Sequence, residues 1–224
     1  MEIKNKAEHD PVGDLYMVDA YMLWALMAAE EVIGKNGLAV VLRQAGLDRL
    51  INNYPPNQLK VTCDLTYGDY TSLSVGLLEF FGRAGKSMNL RIARQSTRYA
   101  TEHQGALFGA AALLAAKVLP VPTQIKMGLN AMQLGLRKLS QSVGQDLHLR
   151  VEDKGDSFLY INEDCGVCAG KQADEPICII GTGLIQEALR WQTGKEFTVE
   201  EIECRALGAP ACVWEVSKTP KPAA

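Results

Sequence analysis

Histidine is scarce, with three residues among 224, and none is spaced for a recognisable catalytic partner. The chain also lacks G-x-S-x-G, H-E-x-x-H and a P-loop, so nothing nominates a nucleophile, a catalytic base or a nucleotide cradle. An enzymatic role therefore has no residues to rest on, and the balance leans towards a non-enzyme. Positive charge is not in excess: 23 Lys and Arg stand against 26 Asp and Glu, for a net charge of −3. That excludes a general nucleic-acid footprint, which needs a basic surplus. Long apolar runs are missing too. The longest, Ala20–Ala29 and Ala106–Ala116 with Gly109 set aside, fall well short of the about 20 residues a membrane span needs. Met1–Asp10 is polar and of mixed charge, unlike a secretory leader. A soluble, cytoplasmic protein is expected.

In that compartment cysteines should be reduced thiols. Of the six, Cys63 stands apart, whereas Cys165, Cys168, Cys178, Cys204 and Cys212 crowd the last third of the chain. Closely spaced thiolates are how proteins hold zinc or a similar ion. In Cys165-x2-Cys168, the two intervening residues let one turn present both sulfurs. Cys204 and Cys212 flank a tight turn at Gly208-Ala209-Pro210, Cys178 follows Pro176 at a predicted helix start, and Glu201 or Glu203 offers an oxygen. Two other meanings stay open. Cys165 and Cys168 could be a redox dithiol, although no thioredoxin-like pattern surrounds them, or the thiols could be small buried hydrophobes. A metal of this kind would be structural, because all its ligands would be protein.

Hydropathy patterning divides the chain near Gly144. Asp10-Pro11 suggests an N-cap and first helical position, with Gly34 as the stop. The helix between them is apolar around most of its circumference, so it is wholly buried or partly covered by a second subunit. A short helix at Leu38–Ala45 follows, then a loop at Tyr54–Asn57. Three or four more helices fit between Asp69 and Val143, punctuated by Gly82, Gly85, Gly105 and Pro120–Pro122. Beyond Gly144, Asp146–Glu152 and Ser157–Asn162 alternate about a turn at 153–156, a hairpin signature. A cysteine loop (163–175), a helix ending at Gly194, and a second hairpin of Glu196–Ala206 and Ala211–Ser217 complete the pattern. The expectation is one α+β domain over 1–218. Its helical part (about 10–143) packs on an antiparallel sheet of about four strands (about 144–218) in hairpin–helix–hairpin order, and 219–224 forms a flexible tail.

Residues 201–214, EIECRALGAPACVW, resemble the signature of the vinyl-4-reductase domain family, E-x2-C-x-A-x-G-x3-C-x-[FW]. Pro176-Ile177-Cys178 with the following glycines resembles that family's P-[IV]-C-x4-G segment. Cys165-Gly166-Val167-Cys168 sits where bacteriochlorophyll-pathway members carry C-P-x-C. The resemblance covers about Gly155–Ser217, with a general likeness at Val40–Leu50 and Tyr54-Pro55. It implies a fold like the TRAPP vesicle-tethering subunits, which dimerise through N-terminal helices. It also implies a structural zinc on Cys178, Glu201, Cys204 and Cys212. An all-thiolate site of Cys165, Cys168, Cys204 and Cys212 is the rival. The function implied is binding of a hydrophobic or aromatic small molecule in an apolar pocket, in bacteriochlorophyll or tetrapyrrole biosynthesis. The alternatives are a tetrapyrrole vinyl reductase or a dimeric assembly subunit.

Other features carry weaker expectations. Gly181-Thr182-Gly183 begins a G-x-G-x-x-G pattern, but Gln186 stands where its third glycine should be. Close helix packing is the reading, with no nicotinamide or flavin site. Arg83, Lys86, Arg91, Arg94 and Arg98 form a basic segment without an acid. It is either a solvated face or, through Arg91, Arg94 and Arg98 on one side, a clamp for an anionic ligand group. His103 is a pocket or interface histidine, or a haem ligand of the kind used by the haem-based nitric-oxide sensors, whose Y-x-S-x-R motif is absent. Tyr99, His103, Phe108 and Trp191 are the expected pocket lining, since aromatic bodies with polar tips suit such a ligand.

Overall fold

The computed structural model describes residues 2–222, without the side chains of 107, 108 and 110. After β1 (Ile3–Asn5), Asp10 caps only a 3-10 turn, Pro11–Asp14, where its carboxylate accepts the Val12 N–H. No long helix follows: the chain turns extended at Leu15 and pairs Tyr16 with Thr66, while the same carboxylate also reaches distant groups. It accepts the Gly170 N–H at 3.0 Å and an Arg205 guanidinium N–H at 2.9 Å, tying the N-terminal segment to the cysteine loop. The helical span α1 (Asp19–Gln44) begins later and consists of two helices joined at Gly34, whose non-helical φ 74° and ψ 160° stop the first of them as expected. Its second half contains the expected helix from Leu38.

Helices α2 (Tyr67–Phe81) and α3 (Gly85–Gln104) pack on α1. Ala20, Met22, Trp24, Leu26, Ala28 and Ala29 are buried by the chain itself. This explains a helix apolar on nearly every side, and it covers much of the face expected to meet a second subunit. The short α4 (Ala110–Ala115) leads to α5 (Val121–Ser142). No helix among the described residues is long and apolar enough to cross a membrane.

The sheet is antiparallel, in the order β2 (Leu149–Asp153), β3 (Ser157–Asn162), β6 (Cys212–Pro220), β5 (Phe197–Glu203). Thus the two hairpins join through β3 and β6, with Tyr160 opposite Trp214 and Asn162 opposite Cys212. A three-residue strand inside the cysteine loop, β4 (Lys171–Ala173), pairs with β1. The last strand enters the segment expected to be flexible: Pro220 pairs with Phe197, so residues 219 and 220 belong to the sheet.

Helix α6 (Ile179–Thr193) joins the layers, touching α3, α5 and β5. Its glycines set the approach. A Cβ on Gly181 would lie 2.3 Å from the Trp214 ring, and one on Gly183 would lie 2.6 Å from the Ala93 Cβ. Packing against sheet and helix therefore accounts for the GxG pair.

The α3–α6 crossing also buries an ionic knot. Glu187 is 1% exposed and accepts Arg94 Nε at 2.9 Å and Arg98 Nε at 2.8 Å, with Arg190 completing the set. Arg94 reaches Glu196 as well, at 2.5 Å. Burial alone would raise the Glu187 pKa, but Arg190, Arg98 and Arg94 outweigh it and hold the carboxyl at about 2. A carboxyl depressed in the folded state stabilises above its unfolded pKa, and that stability is lost as pH falls towards the folded value. Glu187→Gln should cost about 2–3 kcal/mol at neutral pH, since it strands partly buried guanidinium groups. Its denaturation midpoint should also fall less steeply than wild type between about pH 5 and pH 2; parallel acid limbs would show that the knot contributes nothing.

Candidate functional site

The sheet and its connections bring five sulfurs to one buried point. Cys165 and Cys168 lie on the loop leaving β3, Cys178 immediately precedes α6, Cys204 follows β5, and Cys212 opens β6. Between the last two, a 3-10 turn (Arg205–Leu207) and Gly208 at φ 91° reverse the chain, with the Leu207 N–H donating to the Cys204 carbonyl at 2.9 Å. Only glycine takes that left-handed conformation cheaply. All five thiols are buried, whereas Cys63 is exposed and elsewhere.

Sulfur–sulfur separations are 3.6 Å for Cys165–Cys178, 3.5 Å for Cys168–Cys212, 3.6 Å for Cys178–Cys212 and 3.8 Å for Cys178–Cys204. Four sulfurs at the corners of a tetrahedron, each about 2.3 Å from a zinc ion, would stand about 3.8 Å apart. Two sets of four donors lie within 4.8 Å of one another: Cys165, Cys168, Cys178 and Cys212, and Cys178, Glu201, Cys204 and Cys212. In the all-thiolate set, Cys178 therefore stands where the sequence suggested Cys204.

Glu201, not the exposed Glu203, brings the oxygen. Its Oε2 accepts the Cys178 N–H at 2.9 Å, while Oε1 is buried without a partner. Burial, and then the neighbouring Cys204, push its pKa up to about 9. The thiols divide. Contact with Cys168 and then Cys178 holds Cys165 well below the usual range, whereas burial first, and then its thiol neighbours, push Cys178 well above it. Cys204 is raised by Cys168 but lowered more by Cys178 and Cys212, and settles at about 6. Protein groups alone cannot ionise the whole set, so the orphaned carboxylate oxygen and crowded thiols fit a cation. Buried thiolates need paired charge.

A cavity of about 100 Å³ lies among the helices. It exists because its walls carry small residues at facing positions, including Ala93 and Ala100 of α3, Gly128 and Ala131 of α5, and Ala188 of α6. Larger side chains complete it: Tyr21 and Trp24 from α1, Tyr70 from α2, Met132 from α5, and Trp191 and Gln192 from α6. Three lining residues bring buried polar atoms without a partner, the Tyr21 hydroxyl, Trp24 Nε1 and Gln192 Oε1. Burial pushes the Tyr21 phenol well up, so it stays protonated.

Of the residues expected at a pocket, Trp191 forms part of this wall. Arg94 and Arg98 are committed to Glu187, and Arg91 is exposed, which removes the anion clamp. Tyr99 donates to Glu31 at 2.7 Å, and His103 is exposed. The side chain of Phe108 lies outside the described residues. Tyr21 and Trp24 escaped sequence reasoning, although two aromatics with polar tips one turn apart in an otherwise apolar helix were a usable signal.

Residues 160–218 match the family model of the vinyl-4-reductase domain. An uncharacterized protein of Methanocaldococcus jannaschii is 35% identical over 68 residues, which are 30% of this chain and 37% of that protein. The match thus spans little more than a third of that relative. Among solved structures, an oxygen-binding H-NOX domain related to soluble guanylate cyclases is similar at a TM-score of 0.56, with 13% identity, covering 91% of this chain and 96% of that one. The unliganded Fe(II) H-NOX protein of K. algicida gives a TM-score of 0.58 at 12% identity, with 92% and 99% covered. The likeness to both is one of fold.

If the sulfur cluster holds a metal, chelation should lower the melting temperature by about 10 °C or more, and restoring a divalent ion should reverse the loss. Cys178→Ser should mimic chelation, while Cys63→Ser should leave melting unchanged. Differential scanning calorimetry checks both; a melting curve indifferent to chelator would dismiss the metal.

Proposed function

The chain carries a vinyl-4-reductase domain at residues 160–218, and from that premise we propose that it binds a small aromatic or short aliphatic molecule bearing one hydroxyl or carbonyl group. The observation that carries this reading is the interhelical cavity, whose lining includes Tyr21, Trp24 and Gln192, three residues with buried polar atoms that lack a partner. An unsatisfied buried polar atom costs about 1–3 kcal/mol, so a ligand that pairs with one gains affinity and orientation together. The apolar remainder of the wall supplies the hydrophobic contact.

Size selects the ligand class. An engineered cavity of about 150 Å³ accepts benzene, and this one, at about 100 Å³, suits a monocyclic ring after slight expansion. A tetrapyrrole or haem does not fit unless α3 and α5 part. Among the described residues no histidine lines the space, and the arginines that would meet propionates are engaged by Glu187. The bacteriochlorophyll and vinyl-reductase readings therefore draw no support from the cavity.

The metal in this proposal is a structural zinc on Cys178, Glu201, Cys204 and Cys212, a closed set without an open position for a reacting water. It fastens the β5–β6 turn to the start of α6, the helix that supplies Ala188, Trp191 and Gln192 to the cavity.

Phenol should bind saturably, raise the melting temperature and alter tryptophan fluorescence. Trp24→Phe should weaken phenol about 5–10-fold, the value of one hydrogen bond, while leaving toluene nearly unaffected. Ala188→Phe should abolish both. No saturable binding of either probe, or tight binding of chlorophyllide that survives Ala188→Phe, would overturn the proposal.

A further inference from the structure

Six donor groups meet at the sulfur cluster, two more than one tetrahedral ion can use. We infer that the cluster is a binuclear site for two zinc ions, bridged by Cys178 and Cys212. Cys165 and Cys168 complete one ion, and Glu201 and Cys204 complete the other. This rests on the reading above that the cluster binds zinc at all.

The overlap of the two donor sets is the first ground. Each consists of four groups within 4.8 Å of one another, and the two sets share Cys178 and Cys212. Thiolate sulfur has lone pairs enough to bridge two ions, and the shared sulfurs stand 3.6 Å apart. The second ground is what a single ion would leave behind. Placed on the glutamate side, it strands Cys165 and Cys168, buried at 1% and 0% exposure. Placed on the all-thiolate side, it strands Glu201, whose Oε1 is already buried and unpartnered. Two ions strand nothing.

Charge agrees. Five thiolates and one carboxylate carry six negative charges, of which one divalent ion offsets two and a pair offsets four. The Arg205 backbone N–H donates to Cys212 Sγ at 3.4 Å, and the Arg205 guanidinium, bonded to Asp10, feels the charge of Cys168 and Cys165, easing the remainder. The spacing also argues against an iron–sulfur cluster, in which inorganic sulfide holds thiolates on different irons well apart.

The loop bearing Cys165 and Cys168 is positioned by the helical layer. Thr71 Oγ1 donates to the Gly166 carbonyl at 2.7 Å and accepts the Ala169 N–H at 3.1 Å, and a Cβ on Gly166 would lie 2.4 Å from the Tyr67 ring. The ion on the all-thiolate side would therefore join α2 to the sheet, whereas the other stays within the hairpin and α6.

The test is metal stoichiometry in the full chain, purified without chelator, by elemental analysis and native mass spectrometry, followed by cadmium exchange and cadmium NMR. Two ions per chain are expected, giving two cadmium resonances coupled through the bridging sulfurs, and Cys165→Ser/Cys168→Ser should retain one. One ion per wild-type chain, or two uncoupled resonances, would overturn the binuclear site while leaving a zinc centre standing; no ion would overturn both. Should the double variant fail to fold, the wild-type count and coupling still decide.

Discussion

Five thiols and a carboxylate cannot share one dry pocket as anions without a cation. The connections that carry these groups converge on one point in the last third of the chain. The β5–β6 turn, the first turn of α6 and the loop leaving β3 each deliver sulfur there, at the edge of the hydrophobic core that Ile177 and Ala206 also enter. Their positions are linked through the donor cluster and through the core it borders. The single turn capped by Asp10 belongs to the same assembly, because Asp10 holds both Arg205 beside Cys212 and Gly170 beyond Cys168.

A second buried charge group sets the other side of α6. Glu187 faces α3 and gathers Arg94 and Arg98 from it, while Gly183 lets the two helices approach within contact of backbone. Packed helices cross at an angle, so their separation widens away from the point of closest approach. The space left farther along is lined by alanines and glycines of α3, α5 and α6, and closed by the aromatics of α1. On this account the cavity follows from how α6 is held, by the donor cluster at its start and by the Glu187 charge pairs farther along.

Local chemistry made part of this legible in advance. Period-two alternation marked both hairpins, and the spacing of Cys165, Cys168, Cys178, Cys204 and Cys212 pointed to a metal because short-range spacing is what a turn converts into a ligand pair. The resemblance alone favoured Glu201 over Glu203, and the physical reason, that Glu201 is half-buried while Glu203 is exposed, is visible only in the fold. What could not be read was non-local. Asp10 carries the signature of a helix start, but the chain turns extended at Leu15 to pair with Leu65 and Thr66, and Asp10 itself is held by partners more than a hundred residues away. Arg94 and Arg98 looked unpaired because their acid lies on α6, and β4 was hidden because a three-residue strand exists only by virtue of its partner β1. The pocket fared similarly: a cavity is the part of the fold that side chains fail to fill, and no single segment records it.

On the proposed reading, metal and ligand are not independent. Cys178 stands one residue before α6, and Ala188, Trp191 and Gln192 lie farther along that helix. A rigid helix passes any displacement of its first turn to the residues two turns on. If the ion favours one placement of α6 and the cavity occupant favours the same one, each must raise the affinity of the other by an equal factor. A ligand with no preference between placements would feel no such effect, however tightly it bound. The sign of that coupling therefore separates two uses of the fold. An ion that merely fastens the hairpin leaves the cavity's affinity unchanged, whereas one that sets the position of α6 makes the occupancy of the cavity depend on the availability of metal.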